Sequence, residues 1–545
     1  MRHWKMAALV CVLTLCASAS ARAADYYVAV DGADTNPGTL DSPFATLKRA
    51  EQAAAAGDTV YLRGGVYRFS GTQSAVGVSF TKSGAADRPI RYFAYEGETP
   101  IFDLFELKPQ ERVTGLDLRC SWVHLRGLEV RGVRQIVVGD SWGVRIRGDH
   151  NVVERLNVHD NQAPGIFITS GKSNRVLNCD SHHNYDPLEQ GGNADGFGCH
   201  SSGGDNILSG CRAWENSDDG YDFINAAGTC IAEGSWAFRN GYIPDTNMTG
   251  ANGAGFKSGG YGNPPTIPAT GVPRHVVRKS LAFGNRAIGF YANYHPGGID
   301  FLNNTAFDNP ANYDMRTPST GSTPSTHKLR NNIAAGTGRT IVSFNGGTDT
   351  FNSWTLSVEV TAADFVSLDK ALGAMPRKAD GSLPDMALAR LAADSDLIDR
   401  GEDVGLAFTG KAPDLGAHEW GEAAPSSASD AGVTDPAPST DAGRRPSDAG
   451  SVPGGAVVQT DAATRAPTGS GTLDAAVAAR RDGSVVLPED DDTPIDEGGA
   501  GPAAVPGEGC GCQVRAAPSR VGAWGVLLAG LWLARRARAR RAGRA

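Results

Sequence analysis

The sequence has no excess of positive charge. Its 545 residues include 51 lysines and arginines against 60 aspartates and glutamates, which gives a formal net charge of −9 at pH 7. A protein that binds nucleic acid through phosphate contacts needs a basic surface. The charge balance therefore excludes an electrostatic nucleic-acid binder and suits a soluble, exported chain.

The central part of the chain also lacks helix-length segments and zinc-type motifs. Between residues 89 and 309, short strand-like runs alternate with Gly, Asn and Asp, and no second helix-length run occurs. No cysteine has the His/Cys spacing of a zinc site. Cys179 and Cys211 align on neighbouring repeats and either pair or stack as small buried side chains; we favour the second.

A repeat takes the place of the missing helices. Six strand-like segments end in an asparagine, at intervals of 23, 32, 24, 45 and 24 residues: Asn161, Asn184, Asn216, Asn240, Asn285 and Asn309. A unit of about 23 residues with occasional insertions indicates a solenoid. We expect the asparagines to form a ladder at one corner and a second column to stack inside, made of Phe197, Tyr221, Phe256 and Phe290.

Four aspartates accompany this repeat, in the segments NADGFG, NSDDGYDF and GAGFKSGG. When the Gly-aromatic steps are superposed, Asp195 lies over Asp219 and Asp222 lies over Lys257. In a parallel β-helix, neighbouring strands are about 4.8 Å apart, so Asp218 joins the same patch. Two carboxylates about 5 Å apart repel by roughly 3 kcal/mol at an effective dielectric near 20. A divalent cation is therefore expected, and calcium suits an all-carboxylate site better than magnesium.

The ends of the chain differ from its centre. Residues 1–23 have the charged start, the apolar run and the Ala21-Arg22-Ala23 cleavage site of a secretory signal peptide. Ser42-Pro43 predicts the start of one amphipathic helix, from Phe44 to Ala56, and a strand follows at Thr59–Leu62. Such a helix would cover the open end of a β-helix.

The composition changes near residue 421. Residues 24–421 are mixed and predict the folded domain, whereas residues 422–508 are rich in Ala, Pro, Ser, Thr, Asp and Gly, which predicts a disordered linker. Residues 509–545 contain a GCGC motif, an apolar run from Val521 to Ala534 and a basic cluster. This tail resembles the C-terminal sorting signals of myxobacterial exported proteins. The resemblance implies membrane association before processing and display at the cell surface.

The aspartate patch allows several interpretations. An EF-hand needs alternating acidic positions and a late glutamate, which are missing, and Asp-Gly is also common in turns. The lysine favours catalysis. If the metal held a carboxylate of the substrate, the amine beside it could remove the proton on the carbon next to that carboxylate. We expect Lys257 to be a surface lysine of little importance for stability.

The same segments resemble family nine polysaccharide lyases, the pectate lyase group, over roughly residues 26–420. The resemblance implies an all-β, right-handed parallel β-helix with an N-terminal capping helix, acting as a monomer on an acidic polysaccharide such as polygalacturonate. It also implies that Lys257 is the Brønsted base of a β-elimination and that four residues bind Ca²⁺: Asp195, Asp218, Asp219 and Asp222.

Two other classes of function fit the same fold. A non-catalytic, calcium-stabilised adhesin would have no use for Lys257. A β-helical glycoside hydrolase would need a pair of carboxylic acids and water, and it would leave no unsaturated product.

Overall fold

The structure is a computed structural model that describes residues 23–262, 265–318 and 326–421. Its chain winds as a right-handed parallel β-helix in which each complete coil contributes one strand to each of three parallel sheets. The predicted fold is therefore confirmed. The predicted signal peptide, linker and tail lie outside the described residues, apart from Ala23.

Sheet 1 has twelve parallel strands. They are β1 (Asp25–Val28), β2 (Thr59–Leu62), β5 (Ile90–Ala94), β8 (Val123–Arg126), β11 (Val152–Glu154), β14 (Arg175–Leu177), β17 (Asn206–Ser209), β20 (Cys230–Glu233), β23 (His275–Arg278), β26 (Ile299–Leu302), β29 (Lys328–Arg330) and β32 (Thr348–Thr350). The predicted strand at Thr59–Leu62 has the expected bounds.

Sheets 2 and 3 have ten parallel strands each. Sheet 2 contains β3 (Gly65–Gly71), β6 (Pro100–Leu107), β9 (Glu129–Arg131), β12 (Asn157–His159), β15 (Asp180–His182), β18 (Arg212–Trp214), β21 (Trp236–Phe238), β24 (Leu281–Phe283), β27 (Thr305–Phe307) and β30 (Ile333–Ala335). Sheet 3 contains β4 (Val76–Phe80), β7 (Thr114–Leu118), β10 (Trp142–Ile146), β13 (Ile166–Ile168), β16 (Phe197–Cys199), β19 (Tyr221–Asp222), β22 (Phe256–Lys257), β25 (Ile288–Tyr291), β28 (Ala311–Asp314) and β31 (Arg339–Val342).

The corner between sheets 1 and 2 has a constant form. From β8 onward, two residues connect each strand of sheet 1 to the next strand of sheet 2, as Arg155 and Leu156 do. The first of the two has a left-handed backbone, with φ of 54° at Arg155 and 51° at Asn178. The connections that flank sheet 3 vary in length, and two of them, residues 239–255 and 258–274, have 17 residues each.

The N-terminal helix α1 (Leu47–Ala53) is shorter than predicted. Thr46 caps it by accepting a hydrogen bond from the Arg49 amide at 3.1 Å, so Ser42-Pro43 is not its start. Phe44 pairs instead with Val28 as an extended residue. The helix packs against β1 and β4, the first strands of sheets 1 and 3, as expected of a cap.

The asparagine ladder forms at the corner after sheet 2, as predicted. Asn216 Nδ2 donates to Asn240 Oδ1 at 3.0 Å, and Asn240 Nδ2 donates to Asn285 Oδ1 at 3.0 Å. All six predicted asparagines are buried. Buried amides need hydrogen-bond partners. From Asn161 to Asn285, each ladder asparagine finds one in the equivalent asparagine of the next coil, so the ladder connects successive coils.

The aromatic column also stacks inside the helix. Ring centroids are 5.0 Å apart for Phe197 and Tyr221, 4.4 Å for Tyr221 and Phe256, and 5.0 Å for Phe256 and Phe290. Tyr313 extends the column by one coil, 5.1 Å from Phe290. This predicted column is confirmed.

The cysteines behave partly as expected. Cys179 and Cys211 are buried and carry no disulfide bond, which agrees with the favoured interpretation. Cys199 in β16 and Cys230 in β20 form a disulfide that the sequence did not indicate. They lie 31 residues apart on different sheets, so no alignment of repeats brings them together.

The last part of the domain covers the outer face of sheet 2. It contains 3₁₀ turns at Ala362–Asp364 and Lys370–Ala374, and another 3₁₀ turn lies earlier, at Pro187–Glu189. Phe365, Leu388 and Leu415 belong to the apolar cluster that includes Phe238 and Phe283 of sheet 2. Within the described ranges, no helix is both long and apolar enough to cross a membrane.

Candidate active site

The predicted site residues meet at the corner that leads into sheet 3. Asp195 comes just before β16, and Asp218 and Asp219 come just before β19. Asp222 in β19 and Lys257 in β22 are register partners on neighbouring coils. The Asp219 amide donates to Asp195 Oδ1 at 3.0 Å. Both predicted superpositions are therefore confirmed.

Backbone amides hold the carboxylates in place. Asp218 Oδ1 accepts a hydrogen bond from the Asn252 amide at 2.9 Å, and Asp219 Oδ1 accepts one from the Ala254 amide at 2.6 Å. Asp222 Oδ1 accepts one from the Ile224 amide at 2.7 Å. The long connection between β21 and β22 thus supplies donors to the site.

The four aspartates divide into a group of three and a separate one. Asp195, Asp218 and Asp219 each place a carboxylate oxygen within 4.8 Å of the other two, and all three side chains are buried. Asp222 is outside this group and faces Lys257. We expected all four carboxylates to converge on one point, whereas the structure brings three of them together. A ligand role for Asp222 stays a prediction.

The pKa values of the aspartates also differ between the group of three and Asp222. Burial, followed by the neighbouring carboxylates, holds the pKa of Asp195 well above its usual range, and burial and Asp219 do the same for Asp218. For Asp222, burial also disfavours the charge, but the Lys257 ammonium and His200 outweigh it and lower the pKa. Carboxylate oxygens are the ligands that hard divalent cations take. A cation among the three would offset their repulsion, so the donor set fits Ca²⁺.

Lys257 is not a surface lysine, contrary to the expectation from the sequence. It is only 5% exposed, and its Nζ lies 3.5 Å from Asp219 Oδ2 and 3.9 Å from Asp222 Oδ2. The amine therefore sits at the edge of the carboxylate group. Its removal would leave buried negative charge with less compensation.

His200 is a site residue that the sequence analysis missed. Its Nε2 lies 3.6 Å from Asp222 Oδ2, and its ring meets Phe167 edge to face at 5.1 Å. The sequence contained a signal for it. Gly198 is the register partner of Asp222 on the preceding coil, and His200 follows Gly198 by two residues. Because strand side chains alternate between faces, His200 is expected on the same face as Asp222. Tyr291 is the register partner of Lys257 on the next coil and continues the same outer row.

Comparisons with known proteins identify the family to which the chain belongs. A family model described as Pel9A-like, right handed beta helix region, matches residues 26–332, and the chain belongs to this family. Pectate lyase L of Dickeya chrysanthemi is 36% identical over 404 residues, which cover 72% of this chain and 90% of that protein.

Two solved structures are similar as well. The crystal structure of pectate lyase Pel9A has 35% sequence identity and a TM-score of 0.64, covering 73% of this chain and 96% of that one. A structure described as rhamnogalacturonan lyase has 37% identity and a TM-score of 0.64, covering 68% of this chain and 97% of that one.

Proposed function

We propose that this protein is a calcium-dependent polysaccharide lyase that cleaves 1,4-linked uronides, with polygalacturonate as its first candidate substrate. One observation carries the proposal: a buried lysine is in register with Asp222 beside three converging carboxylates. The names of the relatives, pectate lyase and rhamnogalacturonan lyase, support the same class of carbon–oxygen lyase.

Asp195, Asp218 and Asp219 would hold the calcium ion, with Asp222 as a further candidate ligand. Calcium bound there would neutralise the aspartates and withdraw charge from a uronate carboxylate, which makes the proton on C5 more acidic.

Lys257 is the proposed base. Once the Lys257 ammonium has lost its proton, the amine accepts the C5 proton, the electron pair of the C5–H bond forms the C4=C5 double bond, and the C4–O bond to the neighbouring sugar breaks. The oxygen leaves with the electron pair of the C4–O bond and is then protonated by water. Asp219 and Asp222, with carboxylate oxygens 3.5 and 3.9 Å from the amine, hold its nitrogen in position.

The nature of the products tests the proposal. The protein is incubated with polygalacturonate and, separately, with rhamnogalacturonan, in calcium, and ultraviolet absorbance and reducing ends are measured together. Elimination raises both signals equally. New reducing ends without absorbance would identify a hydrolase, and tight binding of the polymers without cleavage would identify an adhesin.

We also propose that the protein is exported and displayed at the cell surface. The signal-like start and the GCGC-containing tail support this location. Truncation after Glu508 should release soluble protein with full activity. A truncated protein that stays as surface-bound as the intact chain would contradict the sorting role of the tail.

A further inference from the structure

A second group of potential metal ligands lies just after sheet 2, where the connections that lead into sheet 3 begin. His183 follows β15, Glu215 follows β18 on the next coil, and Asp245 belongs to the connection between β21 and β22. His183 Nε2 lies 3.5 Å from Glu215 Oε2 and 3.5 Å from Asp245 Oδ1. One ligand atom from each residue lies within 4.8 Å of the other two.

The orientation of the His183 ring points to a ligand. His182 Nε2 lies 3.0 Å from the amide oxygen of Asn157, which can only accept, so this nitrogen carries a proton. In the neutral ring, His182 Nδ1 is then the acceptor, and His183 Nδ1, 2.7 Å away, is the donor. The Nε2 of a neutral His183 therefore directs a lone pair at two carboxylates. Such a contact needs a proton or a cation between the atoms.

The distances fit a tetrahedral metal ion. With Zn–N and Zn–O bonds of about 2.0 to 2.2 Å, two ligand atoms of a tetrahedral site are roughly 3.4 Å apart. Both contacts of His183 Nε2 are close to that value. The hydrogen bond from His183 Nδ1 to His182 Nδ1 fixes the ring, as the second-shell contacts of metal-binding histidines do, although here the acceptor is an imidazole nitrogen. His183 and Glu215 also line a cavity of about 720 Å³, which leaves room for a water molecule as fourth ligand.

We propose that His183, Glu215 and Asp245 bind a transition-metal ion of the zinc class. Imidazole suits zinc, whereas calcium prefers oxygen ligands alone, so the two sites of this chain should select different ions. Asp245 is available as a ligand, because its side chain is 85% exposed.

The ion would order a connection that serves the aspartate site. Glu215 already holds this connection by accepting the Asp245 amide at 3.0 Å. Further along, the Ala251 amide donates to Ser217 O at 2.6 Å, and the amides of Asn252 and Ala254 hold Asp218 and Asp219. A metal ion that joins His183 and Glu215 to Asp245 would therefore reduce the opening of the connection between β21 and β22. This connection positions Asp218 and Asp219.

Metal titration tests this proposal. The intact protein, freed of metals and then saturated with Ca²⁺, is titrated calorimetrically with Zn²⁺, and with Co²⁺ for its visible absorbance. We expect one equivalent to bind and His183→Asn to weaken binding by at least ~100-fold. Asparagine is chosen because His183 has φ of 54°, which Asn tolerates. His150→Asn is the matched control, since His150 has φ of 56° and should leave binding unchanged.

Hydrogen exchange provides a second readout. Zn²⁺ should slow exchange of the Asn252 and Ala254 amides in the parent and in His150→Asn, but not in His183→Asn. Glu215→Gln tests the same site if His183→Asn does not fold. Equal Zn²⁺ affinity of the parent and these site variants, or no binding to the parent, would overturn the proposal.

Discussion

Asp222 and Lys257 are 35 residues apart in the chain but occupy the same register position on neighbouring coils, with Lys257 Nζ 3.9 Å from Asp222 Oδ2. A carboxylate and an amine that face outward from adjacent strands form a cross-strand pair. Here the pair borders three further carboxylates. The proposed base thus owes its position to the stacking of coils rather than to a local motif.

Lys257→Ala should lower kcat on polygalacturonate by about 10²- to 10⁴-fold, the usual cost of losing a general base. The rate of unsaturated-product formation is measured in saturating calcium, because the buried lysine also compensates the aspartates. Lys172→Ala, an exposed lysine on the same solenoid, is the control. A Lys257→Ala protein that is folded and retains more than about a third of the parental rate would exclude this base.

Asp195→Asn should remove most of the stabilisation by calcium. A ligand at 100 times its Kd stabilises the folded state by about 2.7 kcal/mol, and Asn keeps an acceptor for the Asp219 amide while it removes the charge. The rise of Tm with added Ca²⁺ is compared in the parent, in Asp195→Asn and in Asp160→Asn, an exposed control. Chelation should likewise abolish cleavage. Equal calcium shifts in all three proteins would rule out Asp195 as a ligand.

Asn240→Ala should lower the free energy of unfolding by about 1–3 kcal/mol, because it leaves buried donors and acceptors of the ladder without partners. Asn240 bonds to both neighbouring ladder asparagines and donates to Ala213 O at 3.1 Å. The exposed Asn247→Ala serves as control. Urea unfolding measures both variants, and similar midpoints would show that the ladder adds little stability.

His327 should destabilise the folded protein increasingly as the pH drops below about 6.5. Burial, and then the nearby His295 and Arg274, lower the pKa of His327 to about 3. Between these two pH values the unfolded chain binds a proton that the folded chain excludes, so stability decreases by ~1.4 kcal/mol per pH unit for this residue.

His327→Asn tests that effect. His327 Nδ1 accepts the Ile299 amide at 3.2 Å, in the column where Asn174 and Asn206 bond in the same way on earlier coils. Asparagine therefore suits the position. Unfolding in urea at pH 7 and pH 5 should show a smaller loss for the variant, and an equal loss would assign the acid sensitivity to other groups.

The sequence predicted the features that recur with the same residue type on each coil. The asparagines, the Gly-aromatic steps and the aspartate register were all visible because the repeat keeps their spacing. The column of Asn151, Asn174 and Asn206 was missed, because Cys230 and His275 continue it with other residue types.

Tertiary contacts explain the remaining differences. Phe44 looked like the start of a helix, but its backbone bonds to Tyr27 and Ala29 and keeps it extended. The burial of Lys257 depends on what surrounds its coil, which periodicity alone does not reveal. The local pattern was correct in both cases, and longer-range packing decided the outcome.

The two-residue corner between sheets 1 and 2 has a consequence for how such an enzyme can change. Because this corner has the same length on every coil from β8 onward, the stack keeps its alignment whatever happens at the other corners. Those other corners border sheet 3 and already differ from 3 to 17 residues. Loops of new length could therefore be inserted beside the reacting groups and alter the substrate range. The corner between sheets 1 and 2, and with it the alignment of the coils, would stay the same.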